Sequence, residues 1–516
     1  MDAGSQEGAS RRLVSAPSYP KFEGVIDDLA AEFLTRSRCP GLALSICHRG
    51  ESVFAKGYGL RDLLGSQPVT TETLYPIAST TKAMTATLVA MLVNKGKVRW
   101  DAPIREYLPW FQLADEYIAA HVTLRDALTM RTGLPRHDWT WKGYSLSRQE
   151  LIRALRHLDF SAGFRERFQY NNLLVVLAGY VVEVVSGQSW EVVVQSELLA
   201  PLKMDRTVAF RPRTGNVTAS YREDRRRNIV PSSWLSAETT GPAGGLLHST
   251  VLDMTKWAVF NLPAATPGAT RPISEASLAE IHKPQVLVRE DAVAPSPNAA
   301  YAMGWFVDTF CGHRRVAHAG LLDEVSSEIA LLPDLDLGLI SFTNCGSTAP
   351  ARVLNETVLS ELLGIPSSSR LQHHLKEYER KVSNLSASST SAPRIPGTRP
   401  SHRTEDYGGV YWHPGYGELE IVARDERLKL HRGIEDGFIV PLEHWHFDAW
   451  VAESEDQFGI YESSPFSRAT PVRFETGAAG EIAAMIIQFE PTTQPIRFMR
   501  RVARSLVDGQ DQSGYE

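Results

Sequence analysis

The stretch Tyr75-Pro-Ile-Ala-Ser79-Thr-Thr-Lys82 precedes a largely apolar run from Ala83 to Val93, which ends close to Gly96. An apolar run of this length that stops at a glycine predicts a buried α-helix. Residues three apart lie on the same face of a helix, with Cβ atoms ~5–6 Å apart, so the Lys82 amine can reach the Ser79 hydroxyl. Burial disfavours the charged form of a lysine and makes it a better base. The stretch therefore predicts a serine nucleophile with a lysine partner.

The Ser-x-x-Lys spacing is weak evidence by itself. A second example, Ser18-Tyr-Pro-Lys21, lies in an N-terminal segment where no helix is expected to align the two side chains. The alternative for the first example is a plain helix start, with Ser79 or Thr80 as the N-cap. A serine-lysine site also needs a second proton-transfer group and an oxyanion hole, which other parts of the chain must supply.

Length and composition set the class of protein. A chain of 516 residues exceeds the ~250–300 at which single cores stop growing, so two domains are expected. The net charge of −6 argues against a nucleic-acid-binding surface, which needs a basic stripe. No apolar run approaches the ~20 residues of a membrane span, and the N-terminus lacks the apolar core of a signal peptide. The sequence therefore predicts a cytoplasmic protein without nucleic-acid or membrane partners, and it leaves homo-oligomerisation open.

The order of predicted elements favours an α+β fold for residues 22–370. An amphipathic helix with Phe22, Ile26, Leu29 and Phe33 on one face comes first, and helical, loop-rich sequence fills about 100–270. Strands are predicted at 39–50, 51–59, 302–308, 314–320, 325–332 and 337–344. An antiparallel sheet built from distant segments, flanked by helices and interrupted by an all-helical insertion, is an α+β arrangement.

The C-terminal part of the chain predicts a separate β domain. Residues 371–403 form a short amphipathic helix and a linker rich in serine and proline. Residues 404–503 alternate like strands, with hairpins around Asp425-Glu426 and around Gly477 and Gly480. A small antiparallel β barrel is expected there, and residues 1–21 and 504–516 are expected to be disordered tails.

Two further short patterns can complete a serine-lysine site. Tyr170 and Asn172 lie where a loop enters the helix predicted from Leu173 to Val185, so a phenol and an amide can face one cleft. The plain alternative is a helix cap beside a surface aromatic residue. His318 and Gly320 lie on a predicted strand, where glycine lets a ligand approach the backbone closely. The alternative for His318 is an ordinary half-buried strand histidine.

In this order the patterns resemble the serine β-lactamase and penicillin-binding-protein-like family, and most closely its class C β-lactamase, esterase and D-aminopeptidase branch. The family motifs run Ser-x-x-Lys, Tyr-x-Asn and Lys/His-x-Gly, and the chain presents Ser79/Lys82, Tyr170/Asn172 and His318/Gly320. The resemblance spans roughly residues 22–365. Supporting stretches are Leu128-Thr-Met-Arg-Thr-Gly-Leu-Pro135, Val184-Val-Ser-Gly-Gln-Ser189, Leu202-Lys-Met204, Pro242-Ala-Gly-Gly-Leu246 and Tyr301-Ala-Met-Gly-Trp-Phe306. The C-terminal β domain resembles the lipocalin-like barrels of D-aminopeptidase relatives, in which a barrel loop can reach the catalytic cleft.

The resemblance implies a role for each motif residue. Ser79 is expected to be the acylated nucleophile, with Lys82 and Tyr170 sharing the proton transfers. Asn172 is expected to orient Lys82 and contact the acyl side chain. The N–H groups of Ser79 and Leu321 are expected to form the oxyanion hole, in which one lost donor costs ~2.7–4 kcal/mol of barrier. No cofactor is implied.

His318 departs from the lysine that penicillin targets and most β-lactamases carry at this position. An unperturbed histidine, with pKa ~6.5, is mostly neutral at pH 7, and strand alternation keeps Arg315 off the His318 face. The expected substrate is therefore a small-molecule or peptide-like ester or amide, cleaved by a serine hydrolase. The first alternative is an acyltransferase or transesterase acting on a small molecule, with secondary metabolites among the candidates. The second is a catalytically idle binding protein.

One stretch of the C-terminal domain has the spacing of a metal site. His444-Trp-His446-Phe-Asp448 has the His-x-His-x-Asp spacing of zinc hydrolases, but alternation with Trp445 and Phe447 pointing inward explains it more simply. No metal is predicted. Four cysteines, which show no paired spacing, are expected to be buried free thiols: Cys39, Cys47, Cys311 and Cys345.

Overall fold

The computed structural model describes residues 19–143, 146–224, 226–232, 238–263, 272–289, 296–365, 368–387, 393–433, 438–452 and 470–501. Within these ranges a sheet covered by helices is followed by a closed β barrel. The predicted α+β domain and the predicted C-terminal antiparallel barrel are both confirmed. The first helix begins at Tyr19, inside the predicted N-terminal tail, and residues 1–18 lie outside the described ranges.

The large sheet joins the two ends of the first domain. Its nine described strands are ordered β3-β2-β1-β13-β12-β11-β10-β9-β8, with antiparallel neighbours. They are β1 Gly41–His48, β2 Glu51–Asp62, β3 Gln67–Pro68, β8 Val286–Leu287, β9 Ala300–Tyr301, β10 Phe306–Phe310, β11 His313–Leu322, β12 Val325–Leu332 and β13 Leu337–Thr343. Every residue of β12 and β13 is buried, as expected for central strands that are covered on both faces.

Helices cover both faces of this sheet. Leu339 of β13 packs with Phe33 and Leu354 on one face, whereas the next residue, Ile340, belongs to the core on the other face. The helices are α1 Tyr19–Ser37, α2 Thr81–Asn94, α3 Glu116–His121, α4 Leu124–Leu128, α5 Arg148–Ala154, α6 Asn172–Ser186, α7 Trp190–Val193, α8 Val251–Asn261, α9 Glu275–Ile281, α10 Ala351–Leu362 and α11 Ser368–Ala387. The insertion also carries two short ladders, β4 Tyr75–Pro76 with β7 His248–Ser249 and β5 Tyr221–Glu223 with β6 Ile229–Pro231.

One predicted strand is partly wrong. Residues 302–305 form the connection between β9 and β10, and the strand starts only at Phe306. Gly304 has φ +79°, and a Cβ there would lie 2.7 Å from the Lys82 carbonyl oxygen. Glycine at this position therefore lets the connection pass directly against the start of α2, which strand alternation could not reveal.

The predicted helix after residue 370 is confirmed as α11, and it packs on the first domain. Leu371 joins the core beneath α10, and the Tyr378 hydroxyl donates a hydrogen bond to Glu223 Oε2 at 2.8 Å. Residues 388–392 of the predicted linker lie outside the described residues.

The C-terminal domain is a closed barrel of eight described strands. They are β14 Gly409–His413, β15 Gly417–Arg424, β16 Arg427–Arg432, β17 Phe438–His446, β18 Ala449–Ala452, β19 Thr470–Thr476, β20 Ile482–Ile487 and β21 Ile496–Arg500. Pairing of β14 with β21 closes the barrel, which removes open sheet edges. Both predicted hairpins are present, as β15–β16 and β19–β20. Alternate residues fill the interior, as the sequence pattern predicted.

Among the described helices, none has by itself the length and hydropathy of a membrane span. The bent pair Asn172–Ser186 and Trp190–Leu199 meets the criterion jointly, with a 79° bend.

Candidate active site

Ser79 lies in a tight turn that leads into α2. The turn Ala78–Thr80 is a 3₁₀ segment, and Ala78 holds φ +48°, a conformation that non-glycine residues rarely adopt. Ala78 and Thr80 are buried, whereas Ser79 remains partly exposed. The turn therefore presents the Ser79 side chain to solvent at the edge of an otherwise buried helix start.

Lys82 lies beneath Ser79, as the helical spacing predicted. Its Nζ is 2.8 Å from Ser79 Oγ and 2.5 Å from the Ala243 carbonyl oxygen. The residue is 0 % exposed, and burial, helped by the nearby Arg136 charge, holds the pKa of the Lys82 amine well below its usual range. A neutral amine can donate one hydrogen to the Ala243 carbonyl and accept the Ser79 proton with its lone pair. This arrangement can generate a serine alkoxide.

Pro242–Gly244 form the support beneath this pair. Thr85 Oγ1 donates to the Pro242 carbonyl at 2.6 Å, one turn after Lys82. Gly244 has φ +128°, and a Cβ there would lie 2.4 Å from the Ala78 carbonyl carbon. In the sequence this stretch stands out only through the family resemblance. Its two adjacent glycines are the feature that could have predicted close packing against the turn of the nucleophile.

Tyr170 forms the next wall of the site. Its ring is buried, and its centroid lies 4.9 Å from Lys82 Nζ and 4.9 Å from Arg136 Cζ. The His318 ring lies 6.3 Å away, centroid to centroid. The structure therefore brings the three sequence motifs together around the Tyr170 ring.

Asn172 does not make the contact expected of it. Its Nδ2 donates to Asp138 Oδ1 at 2.8 Å, and within the described part of the chain it has no hydrogen bond with Lys82. The amine is oriented instead by the Ala243 carbonyl. The helix-cap alternative belongs to Asn171, whose side chain accepts from the Leu174 N–H at 3.0 Å. Asn172, in the first turn of α6, is therefore held by Asp138 rather than by Lys82.

His318 is a neutral residue in this pocket. Its Nδ1 lies 2.6 Å from the Ala319 carbonyl and its Nε2 lies 3.2 Å from the Tyr301 hydroxyl. Nδ1 therefore carries the hydrogen, and Nε2 accepts from Tyr301. Burial, followed by the Lys82 charge, lowers the pKa of His318 to about 3. Arg315 points away and pairs with Asp308 at 2.7 Å, as alternation predicted.

Gly320 packs against protein rather than against open cleft. A Cβ there would lie 2.6 Å from the Ile77 carbonyl oxygen and 2.8 Å from Ala78 Cβ. The Ser327 hydroxyl of the neighbouring strand donates to the same Ile77 carbonyl at 2.7 Å. The glycine thus brings β11 against the turn that carries Ser79, with half-buried Leu321 next in the chain. The sequence predicts that glycine at position 320 lets a ligand approach the backbone. In the structure the glycine lets the turn that carries Ser79 approach it.

The structure adds a segment that the sequence did not single out, Arg136–Lys142, which we call the barrel-held loop. Arg136 Nε donates to Asp138 Oδ2 at 2.9 Å beside the Tyr170 ring. Burial raises the pKa of Asp138, but Arg136, Lys142 and Asn172 outweigh it and lower the pKa to about 2. Asp138 is therefore an ionised hub that connects Arg136 to Asn172.

The β barrel holds this loop in place. Arg432 of β16 donates to the Lys142 carbonyl at 2.7 Å and also to the Trp139 carbonyl. The Trp139 ring stacks on Phe489, with centroids 5.2 Å apart and an interplanar angle of 12°. The Asp138 N–H donates to Glu490 Oε1 at 2.7 Å. The contact between the barrel and the first domain therefore lies directly behind the candidate active site.

Glu490 faces a second carboxylate at this contact. Burial, followed by the Asp138 charge, raises the pKa of Glu490 to about 7. Within the part of the chain that the structure describes, its Oε2 is buried without a hydrogen-bond partner, which suits a protonated carboxyl group better than a charged one.

The histidines of β17 do not form a metal site. His444 Nε2 bonds to the Phe447 carbonyl at 2.9 Å, while Asp448 accepts from the Ser401 N–H at 2.8 Å and from the Tyr407 hydroxyl. Within the described residues no group of three or more His, Cys, Asp or Glu side chains could hold a metal ion. The predicted inward position of Phe447 is wrong, because Phe447 lies in the β17–β18 turn with φ +46° and is exposed. All four cysteines are free, and Cys311 is only partly buried.

Comparisons with known proteins agree with this architecture. Residues 26–363 match the family model described as Beta-lactamase, and residues 393–500 match a domain of unknown function, DUF3471. Over 436 residues the chain is 28% identical to the unguisins hydrolase ungD' of Aspergillus campestris. The alignment covers 79% of each chain.

Two solved structures share the fold. The octameric penicillin-binding protein homologue of Pyrococcus abyssi aligns with a TM-score of 0.60 at 22% identity, over 92% of this chain and 99% of that one. A class C beta-lactamase aligns with a TM-score of 0.57 at 18% identity, over 67% of this chain and 98% of that one. At these identities the likeness shows the fold alone.

Proposed function

The chain belongs to the beta-lactamase family, and we propose that it hydrolyses an ester or amide through an acyl-enzyme on Ser79. The observation that carries this proposal is the 2.8 Å contact between Ser79 Oγ and the buried Lys82 Nζ, an amine whose pKa is depressed. A hydroxyl beside a neutral amine is an activated nucleophile. One relative, the unguisins hydrolase ungD' of Aspergillus campestris, is named as a hydrolase, which supports water as the final acceptor.

In the first half-reaction Lys82 acts as the general base. The Ser79 proton moves to Lys82 Nζ while Oγ attacks the substrate carbonyl carbon, and the carbonyl oxygen takes up negative charge. We assign the Ser79 and Leu321 N–H groups as the donors that stabilise this oxygen. The Lys82 proton, passed directly or through Tyr170, then goes to the leaving group as its bond to the carbonyl carbon breaks.

In the second half-reaction water attacks the acyl-enzyme. Lys82, neutral again, accepts the water proton, directly or relayed by the Tyr170 hydroxyl, and returns it to Ser79 Oγ as the bond between Oγ and the acyl carbon breaks. Neutral His318 contributes no charge to this cycle, and its hydrogen bond with Tyr301 fixes its ring beside Tyr170. We assign Asn172 to the contact with the acyl side chain.

The test is the hydrolysis of a small chromogenic ester by the wild type and by Ser79→Ala. We expect the substitution to abolish turnover while the thermal unfolding midpoint stays within a few degrees. Turnover that survives in the variant would contradict the serine mechanism. Product analysis with added alcohols and amines separates hydrolysis from acyl transfer, and turnover after treatment with a chelator should be unchanged.

A further inference from the structure

Arg136 combines features that distinguish it from the structural arginines of this protein. Its side chain is 36 % exposed, whereas its partner Asp138 is only 6 % exposed. Only Nε binds Asp138, and the terminal nitrogens of Arg136 make no hydrogen bond with any residue that the structure describes. Four of its five N–H donors therefore have no partner among the described residues and can be offered to a ligand.

Arg315 shows how the chain uses an arginine purely for structure. Arg315 donates to Asp308 through both Nε and Nη2, at 2.8 Å and 2.7 Å, and its side chain is 2 % exposed. Its Nη1 donates to Glu356 Oε1 at 2.8 Å, so all three nitrogens of this guanidinium are paired. Arg136 instead has no hydrogen bond from Nη1 or Nη2 to any described residue, and these two nitrogens form the terminal edge of its guanidinium.

The position of this edge relates it to the reacting serine. Arg136 Cζ and Lys82 Nζ each lie 4.9 Å from the centroid of the Tyr170 ring, so they are at most about 10 Å apart. Lys82 Nζ in turn contacts Ser79 Oγ. A substrate group of a few atoms can span from a carbonyl at Ser79 to the guanidinium.

The surroundings leave Arg136 as a fixed positive charge. His318, at the position where the family expects a cation, is neutral, and the Lys82 amine is biased toward its neutral form. The Asp138 carboxylate also accepts from Asn172 Nδ2 and from Trp141 Nε1, so its charge is shared among three donors. The barrel-held loop fixes this arrangement through Glu490 and Arg432. A preorganised guanidinium loses little freedom when it binds an anion.

We propose that Arg136 binds a carboxylate of the substrate, so that the preferred substrates are anionic esters or amides. This assignment rests on the proposed function of Ser79 and adds a substrate class to it. The anion-binding residue then lies on the barrel-held loop. The family pattern instead places a cation on β11, at the position of His318. The planar terminal edge suits a carboxylate, which it can bind through two parallel hydrogen bonds.

The test compares two chromogenic esters of the same size, 4-nitrophenyl hemisuccinate, which carries a carboxylate, and its neutral succinamate. At low ionic strength we expect the wild type to favour the anionic ester. Arg136→Gln should lower kcat/KM for that ester by about 10–100-fold, the range for a lost hydrogen bond to a charged group. Because the Arg136 charge also helps to lower the pKa of the Lys82 amine, the rates are compared on the upper pH plateau of each variant, where this amine is neutral. There the neutral ester should change less than about threefold, and Arg136→Lys should keep part of the preference.

Controls separate this result from a folding effect and from failure of the serine mechanism. Arg99→Gln, beyond the far end of α2, removes the same charge and should leave the preference unchanged. On the same pH plateau a neutral fluorophosphonate should label Arg136→Gln and the wild type at similar rates. If Arg136→Gln lowers both esters equally, or neither, the carboxylate assignment is overturned. If Ser79→Ala still hydrolyses the neutral ester, the proposed function itself fails, and the carboxylate assignment fails with it.

Discussion

Two walls of the candidate site are built in opposite ways. The serine wall, formed by the start of α2 and by residues 318–321 of β11, lies entirely within the first domain, and its reacting pair is three residues apart. The barrel-held loop opposite it depends on another domain, because Arg432 and Glu490 bind residues about 290–350 positions away. The reacting pair of the first wall is encoded locally, whereas the second wall depends on contacts with the barrel.

The comparison predicts that the largest catalytic loss comes from the serine wall. Lys82→Met removes the base while keeping an unbranched side chain of similar length, and kcat should fall about 10²–10⁴-fold. Lys95→Met, near the exposed end of the same helix, should leave kcat unchanged. In the wild type kcat/KM should rise with pH as the Lys82 amine loses its proton, and stay high above its depressed pKa. Equal activity of the two variants would remove Lys82 from the mechanism.

A substitution in the barrel tests whether the second wall depends on docking. Arg432→Met leaves the carbonyls of Trp139 and Lys142 without their donor, which should cost about 3 kcal/mol of unfolding free energy. Arg427→Met, exposed at the other end of β16, should cost almost nothing. With Arg432→Met we also expect a larger fall in kcat/KM for the anionic ester than for the neutral one. An equal fall in kcat/KM for both esters would show that the barrel-held loop does not determine the preference for the anionic ester.

The raised pKa of Glu490 predicts the sign of a pH dependence at the contact between the domains. Its pKa in the folded protein is raised from 4.5 to about 7, with Asp138, Arg136 and Lys142 facing it. Its contribution to stability is therefore present below pH 4.5 and is lost as the pH rises through 7. Glu490→Gln should gain about 1–3 kcal/mol over the wild type between pH 5 and pH 8 in chemical unfolding. Glu481→Gln should follow the wild type, and a constant difference would contradict the raised pKa.

The smallest effect is expected at His318. Tyr301→Phe removes the donor to His318 Nε2 but leaves the histidine buried and neutral. We expect kcat to change less than about threefold and the pH profile to keep its shape. A new ionisation between pH 5 and 7 would show that Tyr301 is needed to keep His318 uncharged.

The sequence predicted the serine wall well because its information is local. The helical spacing of Ser79 and Lys82, and the strand alternation that separates His318 from Arg315, each follow from backbone periodicity. The barrel-held loop could not be found in this way. Arg136 and Asp138 carry no periodic signal, and their importance comes from Asn172 and Glu490, which are distant in the chain.

The contacts of Asn172 and Gly320 differ from those that the sequence predicts. The family motif places Asn172 beside Lys82, but its amide donates instead to the buried carboxylate of Asp138, on the loop held by the barrel. Gly320 was expected to admit a ligand, yet it admits the Ile77 carbonyl. In both cases residue type and approximate place were predictable, but the partner depended on tertiary packing.

The central claim is the acyl-enzyme on Ser79, and trapping it is the most direct measurement. The wild type is mixed with an excess of an activated ester, quenched in acid within milliseconds to seconds, and examined by intact-protein and peptide mass spectrometry. We predict one added acyl mass on the peptide that contains Ser79, which decays when the ester is exhausted and is absent in Ser79→Ala. An acyl group on another residue would contradict the serine mechanism. Turnover with no adduct on Ser79, even in a variant that deacylates slowly, would contradict it as well.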